Sequence, residues 1–231
     1  MAPKVHQNPE WRDQVGVFAD RKEAGEILAE MLAHLAKENP VVLAIPAGGV
    51  PVAAEIARRL KAPLSLLVTS KATPRWNTEV GFGAVAFDGT EVVNEEAVNQ
   101  LGLSEAEVEA GLRRAREKVQ RRYQRFLGKT GMPEVKGRTV ILVDDGLATS
   151  YTMEVAIQAL KHLGAERIIV AVPTAHRQAV QRIASQVDEV YCPNIRGGWV
   201  FAVAEAYRQW HDVTEDEVAQ WLRPAGSAGT E

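Results

Sequence analysis

The chain has 231 residues, of which 27 are Lys or Arg and 30 are Asp or Glu, giving a net charge of −3; 46% are hydrophobic. This composition is that of an ordinary globular protein, and the length suits one α/β domain with an appended arm or hood. The single Cys excludes an internal disulfide framework and a Cys-rich zinc module. No apolar run approaches the roughly twenty residues of a membrane-spanning helix, and the polar N-terminus lacks a secretory signal. We therefore expect a cytoplasmic protein with no membrane partner. The near-neutral charge also makes nucleic acid an unlikely partner.

Five apolar runs, most of them rich in β-branched residues, predict buried strands, each beside a helix-like stretch. They cover residues 41–45, 64–69, 140–143, 168–172 and, more weakly, 189–192. Because the runs are continuously apolar, helices are expected on both faces of the sheet. The sequence therefore predicts an α/β fold with a doubly wound, mainly parallel sheet. Ligands bind such a sheet at the carboxyl ends of its strands.

Apolar residues at helical spacing predict four helices, at residues 22–37, 51–60, 104–127 and 152–163. Ser104 with Glu107 three residues later forms the pattern of a capping box. The segment from Lys71 to this helix matches neither period and is interpreted as a mobile arm, within an insertion of about residues 72–127. We expect a single domain over residues 1–222 and a disordered tail at 223–231, which is small and polar.

The strongest chemical signal follows the third main strand. Asp144 and Asp145 end the strand, and a short loop then leads into a helix. Backbone N–H groups at a helix N-terminus attract anions, and two carboxylates can accept hydrogen bonds from vicinal hydroxyls or hold a divalent cation through water. The motif therefore predicts a ribose 5-phosphate site. The phosphate-binding candidates are Gly146, Leu147, Ala148, Thr149, Ser150, Tyr151 and Thr152.

This motif resembles the signature of the type I phosphoribosyltransferases: four apolar residues, two acids, and a loop of the form x-x-[ST]-T-G-x-T. Asp144, Asp145, Ala148, Thr149 and Thr152 fall on that pattern. Ala148 stands where hypoxanthine-guanine enzymes carry a carboxylate, which argues mildly against that substrate class. Ser150 replaces the usual Gly; if the turn requires a positive φ there, the replacement costs about 1 kcal/mol.

Other segments resemble a branch of this family with the motif LPRGGVPVA, and together the resemblance spans about residues 18–222. Here residues 45–53 read IPAGGVPVA, and further matches are Lys71, Pro74, Asn77, Glu79, residues 83–85 and residues 207–218. The resemblance implies that Pro46, Ala47, Gly48, Gly49 and Lys71 bind pyrophosphate. Ala47 stands where an Arg is expected, so either Lys71 supplies the charge or turnover is weakened.

The resemblance also implies an activity. The family transfers ribose 5-phosphate from phosphoribosyl pyrophosphate (PRPP) to a nitrogenous base and releases pyrophosphate, with Mg²⁺ as cofactor. By this resemblance Asp144, Asp145 and Lys71 are catalytic, and the two acids hold the metal through water or ribose hydroxyls. The arm after Lys71 would close over the site and exclude water. A homodimer is a further expectation from the family.

Two alternatives remain on the same fold. Ala47 and Ser150 are also compatible with a non-catalytic sensor of PRPP or another nucleotide; the test is whether another Arg or Lys reaches the 46–49 turn. Residues 113–125 hold seven basic residues and one acid, which suits an RNA-binding regulator, although a solvated helix face is favoured.

Three further sequence features give weaker indications of function. Residues 81–86 fit a dinucleotide-binding pattern, but no strand precedes them and no helix follows, so that interpretation is rejected. His176 is expected at the surface. The C-terminal aromatic residues form either a base-stacking hood or a core patch: Trp199, Phe201, Tyr207 and Trp210.

Overall fold

The computed structural model describes residues 4–78 and 80–222, so Glu79 and the predicted tail at 223–231 lie outside the described residues. Its main sheet has six strands, all parallel to their neighbours. In spatial order the strands are β1 (Lys4–His6), β10 (Glu189–Tyr191), β8 (Arg167–Ala171), β7 (Thr139–Val143), β2 (Val41–Ala44) and β3 (Leu64–Leu66). The predicted parallel sheet is confirmed. The edge strand β1 was not predicted, because its three residues are too few to show a period.

Helices cover both faces of this sheet, as the continuous apolar runs require. On one face lie α1 (Arg21–Met31), α2 (Gly49–Leu60) and α7 (Glu215–Trp221); on the other lie α5 (Tyr151–His162) and α6 (Arg177–Ala184). Strand β7 shows the division: Val140 and Leu142 pack toward α5, while Ile141 and Val143 pack toward α2. The predicted helix at 22–37 is shorter than expected, since α1 ends at Met31 and a 3₁₀-helix follows at Ala33–Glu38.

The arm is more regular than its sequence indicated. The apolar run 64–69 does not form one strand: β3 ends at Leu66, and β4 (Thr69–Ala72) begins a separate antiparallel sheet with β5 (Gly83–Ala86) and β6 (Glu91–Val93). Then follow α3 (Glu95–Gln100) and α4 (Glu105–Leu127), and the predicted capping box of Ser104 and Glu107 is present. These strands were missed because they have only three or four residues each, too few to show an alternating pattern. Residues 83–86 form a strand with no helix after it, in agreement with the rejected dinucleotide interpretation.

A small hood lies beyond the carboxyl ends of β8 and β10. The chain continues from these strands into β9 (Thr174–His176) and β11 (Asn194–Arg196), which pair in parallel as a second, two-stranded sheet. Pro173 and Pro193 precede the two short strands, and a proline cannot donate to the sheet ladder, so each one separates two strands that adjoin in sequence. Among the described helices, none is both long and apolar enough to cross a membrane.

Candidate active site

The carboxyl ends of β2 and β7 face β4 and α4 across a cavity of about 290 Å³. This cavity brings together three segments that are far apart in the sequence: the 46–49 turn, the strand bearing Lys71, and the two consecutive acids. It is lined by Ile45, Pro46, Ala47, Gly48, Thr69, Ser70, Lys71, Lys118, Arg122, Asp144, Asp145 and Thr152. The predicted pyrophosphate turn and the predicted ribose acids therefore share one site.

The 46–49 turn connects β2 to α2 and lies directly against the acids. The peptide bond between Pro46 and Ala47 is cis. A Cβ added at Gly48 would overlap the Asp145 carboxylate, and one added at Gly49 would lie 2.7 Å from the carbonyl oxygen of Val143. Glycine at both positions is thus required by close approach to the end of β7. This contact brings the turn and the acids within one cavity.

Asp144 is partly buried and lines the cavity. Its Oδ1 accepts a hydrogen bond from the backbone N–H of Asp145 at 2.8 Å. Burial, followed by the negative charge of Asp145, raises the pKa of Asp144 well above its ordinary value. A bound cation next to this group would favour its charged form.

Asp145 is held by residues that the sequence did not reveal. Arg21, at the start of α1, donates from Nε to Oδ2 of Asp145 at 2.9 Å and from Nη1 to the carbonyl oxygen of His211 at 2.8 Å. The indole of Trp210 covers the guanidinium, whose Cζ lies 3.8 Å from the ring centroid. The Tyr207 hydroxyl donates to the Asp145 carbonyl oxygen at 2.6 Å, and burial together with the Asp145 charge raises the Tyr207 pKa. No local motif could have indicated these partners, because they are 124 and 62 residues from Asp145.

Three cations surround the turn that lacks the expected arginine. Lys71 comes from β4, while Lys118 and Arg122 come from one face of α4, four residues apart. Arg122 is held by Glu215 of α7 at 3.0 Å. Lys118 keeps contact with solvent. Its pKa is nevertheless lowered, mainly by partial burial and secondly by the positive charge of Arg122. Another Arg and another Lys thus reach the 46–49 turn.

The loop after the acids is fixed to the hood. The N–H of Leu147 donates to Thr174 at 3.0 Å, its carbonyl accepts from His176 at 2.8 Å, and its side chain is buried in the core. The two backbone polar groups of Leu147 are therefore engaged by β9 rather than free to meet a phosphate, and its role at the site stays a prediction. Gly146 is also packed in place, since a Cβ there would lie 2.5 Å from Val203.

The remaining loop residues divide between two cavities. Thr152 faces the 290 Å³ cavity, whereas residues 148–151 line a second cavity of about 150 Å³. This second cavity is completed by His176, Gln178, Ala179 and Arg182 from the hood and α6. Ser150 has φ −94°, so the left-handed conformation that would have made a serine costly is not used. Its hydroxyl donates to Glu154 one turn later.

With this geometry in place, the chain can be compared with known proteins. A family model described as "Phosphoribosyl transferase domain" matches residues 19–206. The chain belongs to this family. The predicted resemblance to the phosphoribosyltransferases is confirmed.

Three relatives illustrate the extent of the similarity. A Mycobacterium tuberculosis protein named "Putative phosphoribosyl transferase" is 39% identical over 207 residues, covering 89% of this chain and 46% of that protein. The chain thus spans about half the length of such curated relatives. The protein TT1426 from Thermus thermophilus is 36% identical, with a TM-score of 0.72 over 89% of this chain and 97% of that one. A ribose-phosphate pyrophosphokinase from Pyrococcus furiosus is 38% identical over 63 residues, covering 26% of this chain and 23% of that protein.

For a phosphoribosyl transferase domain, the acids raise the question of a metal. Within residues 4–78 and 80–222 there is no group of three or more His, Cys, Asp or Glu side chains placed to hold a metal ion. Asp144 and Asp145 offer the hard oxygen ligands that Mg²⁺ prefers, although Arg21 already occupies Oδ2 of Asp145. Mg²⁺ is commonly held by one or two carboxylates together with substrate phosphates. The pair therefore suits a metal that is shared with a phosphorylated substrate.

The four C-terminal aromatic residues have different environments. Tyr207 is buried and Trp210 covers Arg21, so these two support the acid pair. Phe201 packs edge-on to His176, with ring centroids 5.7 Å apart. Trp199 is fully exposed. The four residues therefore form neither a single hood nor a single core patch. Trp199 lies at the surface, and the chain then passes through a 3₁₀-helix at Val203–Ala206 before Tyr207 and Trp210 reach the acids.

Three of the seven basic residues in the stretch at 113–125 are paired with acids. Arg116 contacts both Glu91 and Glu109. Arg122 and Arg125 both contact Glu215, and Arg125 also contacts Asp216. Pairing of this kind lowers the local positive field that an RNA-binding face requires.

Proposed function

We propose that this domain transfers ribose 5-phosphate from PRPP to a nitrogenous base and releases pyrophosphate, with Mg²⁺ as cofactor. The observation that carries the proposal is the 290 Å³ cavity, in which a glycine turn, three cations and two consecutive acids converge. Each part matches one part of PRPP: cations and a glycine turn suit pyrophosphate, and paired carboxylates suit the ribose hydroxyls. The family membership of the chain supports this assignment.

The leaving group would be bound at the 46–49 turn. The N–H groups of Ala47 and Gly48 make no hydrogen bond to other residues within 4–78 and 80–222, so they are available as donors to an anion. Lys71, Lys118 and Arg122 add positive charge on the opposite side of the cavity. Bound Mg²⁺ would supply further neutralisation of the pyrophosphate. Stabilising the leaving group in this way lowers the barrier without any covalent intermediate.

The ribose would lie over the acids. Carboxylates of Asp144 and Asp145 can accept hydrogen bonds from its hydroxyls and place negative charge near the cation that develops on the ribosyl ring. Arg21 fixes the orientation of the Asp145 carboxylate from below, because its guanidinium is itself held by Trp210 and the His211 carbonyl. Rigid placement of such groups is a main source of catalytic power.

The 5-phosphate would be bound at the start of α5. Unpaired N–H groups of the first helical turn and the hydroxyl groups of Thr149 and Thr152 are suitable donors. Arg182 of α6 lines the adjacent cavity and adds a positive charge. The arm sheet packs against α5, and Asn94 of the arm donates to the Tyr151 hydroxyl at 2.9 Å. This contact links the arm to the phosphate loop, as a lid that excludes water requires.

The structure weakens the grounds for both alternatives. A non-catalytic sensor was considered because Ala47 removes a charge and Ser150 replaces a glycine; Lys118 and Arg122 now supply charge, and Ser150 has an ordinary φ. An RNA-binding regulator was considered for residues 113–125, where three of the six arginines are paired with acids. The identity of the base, the homodimer and the cytoplasmic location stay predictions.

The decisive test measures PRPP binding and turnover together. Isothermal titration with PRPP and Mg²⁺ is carried out on the wild type and on Asp144→Asn/Asp145→Asn, followed by a screen of pyrophosphate release across bases. We expect binding by the wild type, its loss in the double variant, and release with one base. Asp216→Asn is the control, since it removes an exposed carboxylate that does not line the cavity. Equal binding by both proteins would overturn the site, and binding without release for any base would favour the sensor.

A further inference from the structure

A second basic compartment adjoins the proposed pyrophosphate subsite. Its volume is about 240 Å³, and it lies between β4 and α4 on the side away from the acids. Ser70, Lys71 and Lys118 line both compartments, so the two are contiguous. The residues that line only the second one are Thr73, Thr78, Gly111, Arg114 and Ala115.

The lining of this compartment has the chemistry of an anion site. It offers three cations, Lys71, Arg114 and Lys118, together with three hydroxyl groups, and no carboxylate among the described lining residues. Arg114 is oriented by a hydrogen bond from Nη2 to the Thr73 carbonyl at 2.9 Å, which leaves its other N–H groups for a ligand. Gly111 allows this close approach of α4, because a Cβ there would lie 3.1 Å from the same carbonyl.

The cations continue as a row along one face of α4. Arg114, Lys118 and Arg122 are spaced four residues apart, so they lie on the same face and extend over about 12 Å at the helical rise per residue. Within residues 4–78 and 80–222, Arg114 and Lys118 form no ion pair, whereas Arg116, Arg122 and Arg125 all pair with acids. Among the described residues, Arg113 and Arg121 of this stretch also form no ion pair, but of these four only Arg114 and Lys118 line the second compartment.

We propose that this compartment is a second anion subsite, which binds a phosphate group next to the one held by the 46–49 turn. The inference rests on the proposed function, since it takes that turn as the pyrophosphate subsite. Because the two compartments share Ser70, Lys71 and Lys118, the group is the third phosphate of a linear polyphosphate chain that spans both. Arg114 is the residue that distinguishes this subsite from the first.

The test compares pyrophosphate with tripolyphosphate, each with Mg²⁺, by isothermal titration. The wild type binds tripolyphosphate at least tenfold more tightly than pyrophosphate. Arg114→Gln removes most of that difference and leaves the pyrophosphate affinity within twofold, which also shows that the variant is folded. Arg113→Gln is the matched control, because it makes the same change at the next residue of α4, which is exposed and lines neither compartment; it leaves both affinities unchanged.

Two results overturn the subsite: equal affinity of the wild type for both ligands, or the same loss in Arg113→Gln as in Arg114→Gln. Titration of PRPP in parallel separates this inference from the proposed function. If PRPP binds but tripolyphosphate has no advantage, the subsite fails alone; if tripolyphosphate binds in an Arg114-dependent way and PRPP does not bind, the proposed function fails alone.

Discussion

Arg21 and Asp145 form an ion pair, with Nε and Nη2 of the arginine each 2.9 Å from Oδ2 of the aspartate. The side chains are 7% and 15% exposed, so both charges are largely removed from water. The pair joins the first turn of α1 to the end of β7 and sets the position of one of the two site acids. A buried pair of this kind costs little while intact, but breaking it leaves one charge without compensation.

Replacing Arg21 should therefore destabilise the protein strongly. We expect Arg21→Gln to lower the free energy of unfolding by about 3 to 5 kcal/mol, because the Asp145 carboxylate is left buried and unpaired. The double variant Arg21→Gln/Asp145→Asn should recover much of this loss. Urea unfolding of the wild type, both single variants and the double variant measures the coupling. Additive losses would show that the pair does not act as a unit.

Asp144 should make the protein less stable as the pH rises, whereas a carboxylate with a lowered pKa has the opposite effect. Its pKa in the folded protein is raised, so its protonated form stabilises the fold; that contribution is complete below the unfolded value of about 3.9 and is lost as the pH rises through the folded value. Asp144→Asn keeps the Oδ1 acceptor for the Asp145 N–H but does not titrate. The variant should thus gain stability relative to the wild type as the pH rises from about 4 to about 8.

Urea unfolding across this pH range, in buffer with a chelator and without PRPP, measures the difference between the two proteins. Each tenfold change in proton affinity between the folded and unfolded states corresponds to about 1.4 kcal/mol. Asp216→Asn, at an exposed position, gives the reference pH profile. A difference that is constant with pH would contradict the raised pKa.

The two turn glycines should respond differently to alanine. At Gly49 the new Cβ meets backbone atoms, the Val143 carbonyl oxygen at 2.7 Å and the Asp144 Cα at 2.9 Å, which cannot move independently. We expect Gly49→Ala to cost about 1 to 3 kcal/mol of stability, as overpacking does. At Gly48 the Cβ meets the Asp145 carboxylate, so Gly48→Ala should mainly weaken PRPP binding.

Thermal unfolding and PRPP titration of both variants separate these effects. Gly197→Ala is the control, because a Cβ there meets only the end of the Arg177 side chain, at 3.2 Å. If Gly48→Ala and Gly49→Ala changed stability equally and left PRPP affinity intact, the contact between the turn and the acids would not matter for binding.

Restoring the family's glycine at position 150 should not stabilise this protein. Ser150 has φ −94°, so no left-handed strain is relieved, while glycine adds freedom to the unfolded chain and removes the hydrogen bond to Glu154. We expect Ser150→Gly to be less stable by about 1 kcal/mol. Ser150→Ala isolates the contribution of the hydroxyl, and chemical denaturation measures both. A gain in stability for Ser150→Gly would show that the serine is strained after all.

The features predicted from the sequence were carried by contiguous residues. The consecutive Asp144 and Asp145 follow an apolar strand and precede a helix, so the strand, the acids and the helix start are all visible in one short segment. Ser104 and Glu107 likewise indicate the start of α4, and their reciprocal hydrogen bonds are present. Local patterns of this kind hold because hydrogen bonding and burial at these positions depend on immediate neighbours.

The features that were missed depend on residues far apart in the chain or on very short elements. The apolar run 64–69 gave no sign that the chain leaves the main sheet after Leu66, since every residue from 66 to 70 is buried, including the two between the strands. Leu147 was assigned to phosphate although the hood uses both its backbone groups. The sequence placed Lys118 and Arg122 in a basic helix but could not show which of its charges face a substrate phosphate.

By itself, the sequence determined the parallel α/β sheet, the family and the location of the ribose-phosphate motif, because periodic apolar residues and a contiguous loop specify these locally. The tertiary structure decided which charges reach that motif. Arg21 comes to Asp145 from the first turn of α1, and Lys118 and Arg122 come to the 46–49 turn from α4. Such pairings are set by how helices pack over the sheet, and packing is a property of the whole chain rather than of any segment.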